Sequence, residues 1–170
     1  MRRLKIFIVE DDDDFRALYS YMLAAGGYKV KAVRNGLEAF AEIQVNRPDL
    51  IVTDIAMPVL SGLDLIVAVR SNDEFADLPV VAITSFGENL REQARAAGAT
   101  DAIDKPTDIA RMREVIEAAV SRSSSARPRS TGGPPSKLSE RLMRLQQRLL
   151  HQVGGIELGA QARIESKPRQ

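Results

Sequence analysis

The sequence predicts an α/β fold, a five-stranded parallel sheet covered by helices on both faces. Three observations lead there. Short apolar runs alternate five times with segments of helical periodicity. Runs such as Leu50-Ile51-Val52-Thr53 and Val80-Val81-Ala82-Ile83 are continuous rather than alternating, as in strands buried on both faces. A helix pattern separates each strand from the next, which is the crossover a parallel sheet needs.

The strands lie at about 4–9, 28–33, 49–53, 80–83 and 101–104. In the first helix Phe15, Leu18, Tyr19, Met22 and Leu23 follow one face, Asp12, Asp13 and Asp14 supply charge at its start, and Gly26-Gly27 ends it with a left-handed cap. Asn35 caps a second helix over about 36–46, closed by Pro48. Ser61 caps a third that ends near Arg70. A fourth runs over about 88–97 and stops at Gly98. The fifth presents Ile109, Met112, Ile116, Ala119 and Val120 on one face, with Asp108 in its first turn.

The 170 residues, 44% of them apolar, are enough for one core and a small appendage. The absence of cysteine excludes disulfides, thiolate metal sites and cysteine nucleophiles. The opening Met1-Arg2-Arg3-Leu4 starts like a secretory signal, but its apolar stretch ends at Glu10, too soon for one. No run approaches the roughly 18 apolar residues of a membrane span. A cytoplasmic protein with no membrane partner is expected.

Charge divides the chain. Residues 1–120 carry 14 basic and 20 acidic side chains, a net −6, whereas residues 121–170 carry 10 and 3, a net +7. Composition changes at the same point, so four segments are expected. These are an α/β body over 1–120, a flexible Ser/Arg/Pro/Gly linker over 121–137, an amphipathic helix over 138–153 and a disordered tail over 154–170. Leu138, Leu142, Leu145 and Leu149 make one apolar seam in that helix, with fewer than the three or four heptads a coiled coil wants. A weak homodimer through this seam is the expectation. Arg141, Arg144 and Arg148 are read as its solvated side, and the sole histidine, His151, as a helix residue without a phosphotransfer role.

Four strand ends carry polar groups that suit one reaction. Glu10-Asp11 follows the first strand, Asp54 the third, Thr84 the fourth and Lys105 the fifth. Pro58 prevents a helix from starting directly after Asp54, leaving it at a strand-to-loop edge, where open parallel sheets bind ligands. Phosphoryl transfer to a carboxylate needs a nucleophilic oxygen, a divalent cation beside it, and cationic or hydrogen-bonding groups around the phosphoryl oxygens. Glu10, Asp11 and Asp54 can supply oxygen ligands to Mg2+, Thr84 a hydrogen bond, and Lys105 a movable charge.

With these segments the sequence resembles the receiver domain of two-component response regulators, the CheY-like family. The matching stretches are Ile8-Val9-Glu10-Asp11-Asp12, Asp54-Ile55-Ala56-Met57-Pro58 with Ser61-Gly62, Ile83-Thr84-Ser85, and Lys105-Pro106. The resemblance covers about residues 4–120. It implies a flavodoxin-like, doubly wound sheet of order 2-1-3-4-5, an order the family itself illustrates. It also implies that Asp54 is the phosphoacceptor, that Glu10, Asp11, Asp54 and the backbone carbonyl of Ala56 hold Mg2+, that Thr84 is the switch hydroxyl and Lys105 the phosphate-facing cation, and that Lys105-Pro106 is cis. The donor would be a histidine kinase or phosphotransfer protein, and the chain would catalyse only its own phosphorylation and dephosphorylation. One position departs from the family. Ala102 stands where many receivers have the inward-turning Tyr or Phe, and Phe86 is the nearest aromatic in sequence that could substitute.

Alternatives from other classes are weaker. An aspartate-nucleophile phosphohydrolase wants a second acid two residues after Asp54, where Ala56 stands. A nucleic-acid binder with the basic tail as effector, gated by the receiver, would have no second helix suited to a major groove. DNA is therefore not expected as a partner, and output is expected through protein–protein contacts. A flavin module lacks aromatic residues for ring stacking.

Overall fold

The computed structural model describes residues 2–85 and 87–125. The linker beyond 125, the leucine seam, His151, the tail and Phe86 lie outside the described residues.

Five strands, β1 (Lys5–Val9), β2 (Lys29–Val33), β3 (Leu50–Asp54), β4 (Val80–Thr84) and β5 (Asp101–Asp104), alternate with five helices, α1 (Asp13–Ala25), α2 (Gly36–Val45), α3 (Gly62–Arg70), α4 (Gly87–Ala97) and α5 (Ile109–Ser125). The sheet is parallel in the order β2-β1-β3-β4-β5. This is the doubly wound, flavodoxin-like arrangement expected from the sequence. The chain reverses its direction of winding between β1 and β3, which opens a crevice at their carboxyl ends.

Successive residues of each strand face opposite sides, so the sheet divides two cores. Phe7, Val9, Ile51, Val80 and Ala82 pack with Phe40 and Ile43 of α2, Leu65, Ile66 and Val69 of α3, and Ala94 of α4. Ile6, Ile8, Leu50, Val52, Val81 and Ile83 pack with Tyr19 and Leu23 of α1 and with Met112, Val115, Ile116 and Ala119 of α5. β3 and β4 are buried along their whole lengths. β2 lies at an edge and exposes Lys29, Lys31 and Ala32, and its lysines guard the open edge against further strand pairing.

The helix ends follow their capping residues. Asn35 accepts from the Glu38 N–H at 2.9 Å and Ser61 from the Asp64 N–H at 3.2 Å. At the end of α1 the left-handed residue is Gly27, with φ 91°. Tyr28 N–H reaches Leu23 O and Gly27 N–H reaches Ala24 O, a Schellman motif that any side chain at residue 27 would strain.

Three details differ from the sequence expectation. Leu18 is half exposed, because at the rim of α1 it reaches past the core that Tyr19 and Leu23 fill. Asp108 precedes α5 as its cap rather than entering its first turn, and accepts from Arg111 N–H at 2.8 Å. α5 also runs on to Ser125, past the change in composition at residue 121. Ser121 and Ser123 hydroxyls donate to the carbonyls of Glu117 (2.8 Å) and Asp77 (2.7 Å), giving this polar turn partners that composition does not reveal.

Candidate functional site

The four strand ends named from the sequence converge. Glu10 directly follows β1, Asp54 closes β3, Thr84 closes β4 and Lys105 directly follows β5. Glu10, Asp54 and Thr84 are all buried, while Asp11 stands exposed at the rim. Each of Glu10, Asp11 and Asp54 offers a carboxylate oxygen, and these lie within 4.8 Å of one another.

Lys105 is the cation among them. Its Nζ lies 2.6 Å from a Glu10 oxygen and 3.2 Å from Asp54 Oδ1, and only 6% of the side chain is exposed. It also sits 4.8 Å from the centre of the Phe15 ring, whose face favours a cation. Burial raises the Glu10 pKa above its ordinary value and outweighs the hydrogen bond and charge of Lys105. For Lys105, burial alone would lower the pKa. The Glu10 hydrogen bond and the Asp54 and Glu10 charges outweigh it, so the ammonium is held above its ordinary value. Three carboxylates against one ammonium leave an excess of negative charge beside oxygen donors alone. That set suits a hard divalent cation such as Mg2+.

Several residues to which the sequence reading gave no role in the site shape it. Arg16, one turn into α1, donates to the carbonyls of Glu10 (2.9 Å) and Asp11 (3.2 Å) and pairs with Asp13, so it fixes the acidic loop. An arginine just after four aspartates was the available signal. Gly62 opens α3 directly beneath the end of β3, and a Cβ there would overlap the carbonyl oxygen of Asp54. Its N–H donates to Ile55 O at 2.9 Å. Between them, Val59 has φ 70°, and Leu60 N–H reaches Pro58 O at 2.8 Å, a tight and strained three-residue turn. Tyr19 stacks on Phe15 at 5.8 Å, and its buried hydroxyl has no hydrogen-bond partner among the described residues.

Ala56 is exposed at the loop beyond Asp54, and Lys105-Pro106 is cis. Ala102 is buried opposite Ala82 of β4, with no bulk to rotate. Outside it, Arg91 pairs with Asp104 at 2.7 Å, and Arg95 reaches the Ala102 carbonyl at 3.4 Å. No described helix is long and apolar enough to cross a membrane.

Comparison with known proteins agrees with this geometry. Residues 6–117 match the family described as the response regulator receiver domain. The polar-differentiation response regulator DivK of Brucella anthropi is 36% identical over 113 residues, 66% of this chain and 92% of that protein. DivK of Brucella ovis is 34% identical over the same span. Among solved structures, the chemotaxis protein CheY4 of Vibrio cholerae superposes with a TM-score of 0.66 at 28% identity, covering 69% of this chain and 99% of that one. A response regulator of Chloroflexus aurantiacus superposes with a TM-score of 0.69 at 27% identity, covering 71% and 100%.

Proposed function

Because the chain belongs to the receiver domain family of two-component response regulators, we propose that Asp54 accepts a phosphoryl group from a phosphohistidine of a kinase or phosphotransfer protein. The observation that carries this reading is Lys105, buried between Glu10 and Asp54 at the carboxyl end of the sheet.

An Asp54 carboxylate oxygen attacks phosphorus in line, the O–P bond forms as the donor's P–N bond breaks, and the imidazole nitrogen leaves with the electron pair. Lys105 keeps its charge in place and swings from the Asp54 oxygen to a phosphoryl oxygen. The Thr84 hydroxyl donates to a second one. Glu10, Asp11, Asp54 and the Ala56 carbonyl would hold Mg2+, which supplies positive charge against the phosphoryl oxygens. Receiver domains are signalling proteins rather than conventional enzymes, and the output here is a shift between two conformations that alters a protein-binding surface near α4 and α5. With Ala102 in β5 that shift proceeds without an aromatic rotamer change at this position.

Incubation with a small-molecule phosphodonor and Mg2+ should add one phosphoryl mass to the protein, and Asp54→Asn should abolish it. Undiminished labelling of the mutant rejects the assignment. Mg2+ should also raise the melting temperature, by about 2.7 kcal/mol of stabilisation at a hundredfold excess over Kd, and Asp11→Asn should weaken that effect.

A further inference from the structure

Lys105 is gripped from two sides. On one side its Nζ lies 2.6 Å from a Glu10 oxygen and 3.2 Å from Asp54 Oδ1. On the other it stands over the Phe15 ring, 4.8 Å from the ring centre. Phosphoryl transfer affects the two grips differently. Asp54 gives one carboxylate oxygen to phosphorus and loses its full charge, and Glu10 is among the oxygen donors offered to a divalent cation. Both carboxylates therefore slacken at the moment the ammonium has to meet a phosphoryl oxygen. The ring is consumed by neither event. It also attracts the cation without neutralising it, so the whole charge stays available to the phosphoryl group.

The ring is firmly held. Phe15 lies in the first turn of α1, and its N–H donates to the capping carboxylate of Asp12 at 3.0 Å. The next residue, Arg16, ties that turn to the carbonyls of Glu10 and Asp11. One helical turn on, Tyr19 backs the ring, stacked at 5.8 Å with 23° between the planes and only 1% exposed. Ring and acidic loop thus share one rigid support. Phe15 itself is only half-buried, against the core that α1 and α5 cover. Packing alone would accept leucine or methionine there, and neither has a negative face to offer an ammonium.

We propose that Phe15 is a positioning residue for phosphoryl transfer. Its ring holds the Lys105 ammonium while Asp54 and Glu10 release it, and so keeps the charge aimed at the incoming phosphoryl oxygen. Without the ring, the flexible four-carbon stem of Lys105 is left to two carboxylates whose pull falls away during the step. Tyr19, behind it, sets the plane of the ring. This inference rests on Asp54 being the phosphoacceptor.

The test replaces Phe15 in the full chain with phenylalanines carrying increasing numbers of fluorine atoms, which strip the ring face of negative potential and barely alter its shape. The rate of phosphorylation by acetyl phosphate with Mg2+ should fall step by step along the series. Phe15→Leu should be about tenfold slower than the wild type, as for the loss of one desolvated cation–π contact. A second measurement needs no phosphorylation. In the metal-free wild type the Lys105 ε-methylene protons should resonate upfield of an ordinary lysine, shielded by the ring, and Phe15→Leu should remove that displacement. Equal rates along the fluorinated series, even with a slow Phe15→Leu, would make the ring a packing element and overturn the proposal. So would an ordinary Lys105 resonance in the wild type. A wild type whose Lys105 resonance is displaced but which takes up no phosphoryl group rejects Asp54 as the acceptor, and the role of Phe15 falls with it.

Discussion

At the carboxyl end of the sheet Lys105 lies dehydrated between two buried carboxylates. At the amino end Lys29 and Arg3 are exposed, with no carboxylate paired to them among the described residues. The two sets lie at opposite ends of one sheet, and burial makes the difference. Where water is excluded, each charge depends on its neighbours, and removing one exposes the others to an uncompensated desolvation cost. Where water remains, charges act nearly independently and are screened by salt. A coupled group of charges can respond sharply to one added phosphoryl group. An open basic surface can only sum its contributions toward a partner.

The largest test of this contrast pairs two lysines. Lys105→Met should destabilise the metal-free protein by about 3–5 kcal/mol, read from urea unfolding, whereas Lys29→Met should cost about 0.5 kcal/mol or less. Equal losses would break the comparison. Two glycines come next. Gly62→Ala must displace the Asp54 carbonyl and should cost about 3 kcal/mol, with phosphorylation lost alongside. Gly27→Ala meets no atom within 4 Å, so only its left-handed backbone is penalised, by about 1–2 kcal/mol. A smaller loss at residue 62 than at residue 27 would mean the loop yields easily.

Tyr19 sharpens the picture from the other side. Its hydroxyl, without a hydrogen-bond partner among the described residues, adds polarity beneath the site, and Tyr19→Phe should stabilise the protein by about 1 kcal/mol. A loss of stability would reveal a partner for the hydroxyl. The smallest effect concerns Glu42 of α2, whose carboxyl the hydrogen bond to Lys31 holds below the ordinary range against its slight burial. Because the folded-state value is the lower one, this pair stabilises the protein above the ordinary carboxyl pKa, and the contribution disappears as pH falls through the depressed value. Glu42→Gln should therefore lower the urea midpoint at neutral pH, by the equivalent of about 0.5 kcal/mol or less, and leave it unchanged in acid. A difference that persists in acid would assign the effect to packing.

Strands were the most legible part of this molecule. β3 and β4 are buried on both sides, and their residues are apolar up to Thr53 and Thr84. α2 and α3 were legible from one capping residue each, Asn35 and Ser61. The last turn of α5 was not, because Ser121 and Ser123 gain their partners from the helix itself and from the α3–β4 connection. Residue types at strand ends were sufficient to expect Glu10, Asp11, Asp54, Thr84 and Lys105 at one end of the sheet, since a parallel sheet brings such ends together. The supports were less legible. Arg16 was signalled only by its place after four aspartates and Gly62 only by its place in the Ser61-Gly62 motif, while the Phe15 ring acts through a side-chain face that leaves no pattern along the chain.

Arg70, the last residue of α3, donates to the carbonyls of Gly98 (2.7 Å), Leu78 (2.7 Å) and Ala76 (3.2 Å) and to the Thr100 hydroxyl (3.4 Å). Thr100 in turn accepts from Val80 N–H at 3.1 Å and donates its own N–H to Val80 O at 2.7 Å. One guanidinium thus joins the end of α3 to the approaches of both β4 and β5. Local opening of that half of the sheet cannot proceed strand by strand while it holds. In native-state hydrogen exchange the amides of Val80 and Thr100 should become accessible in one cooperative event, and Arg70→Met should split it into two.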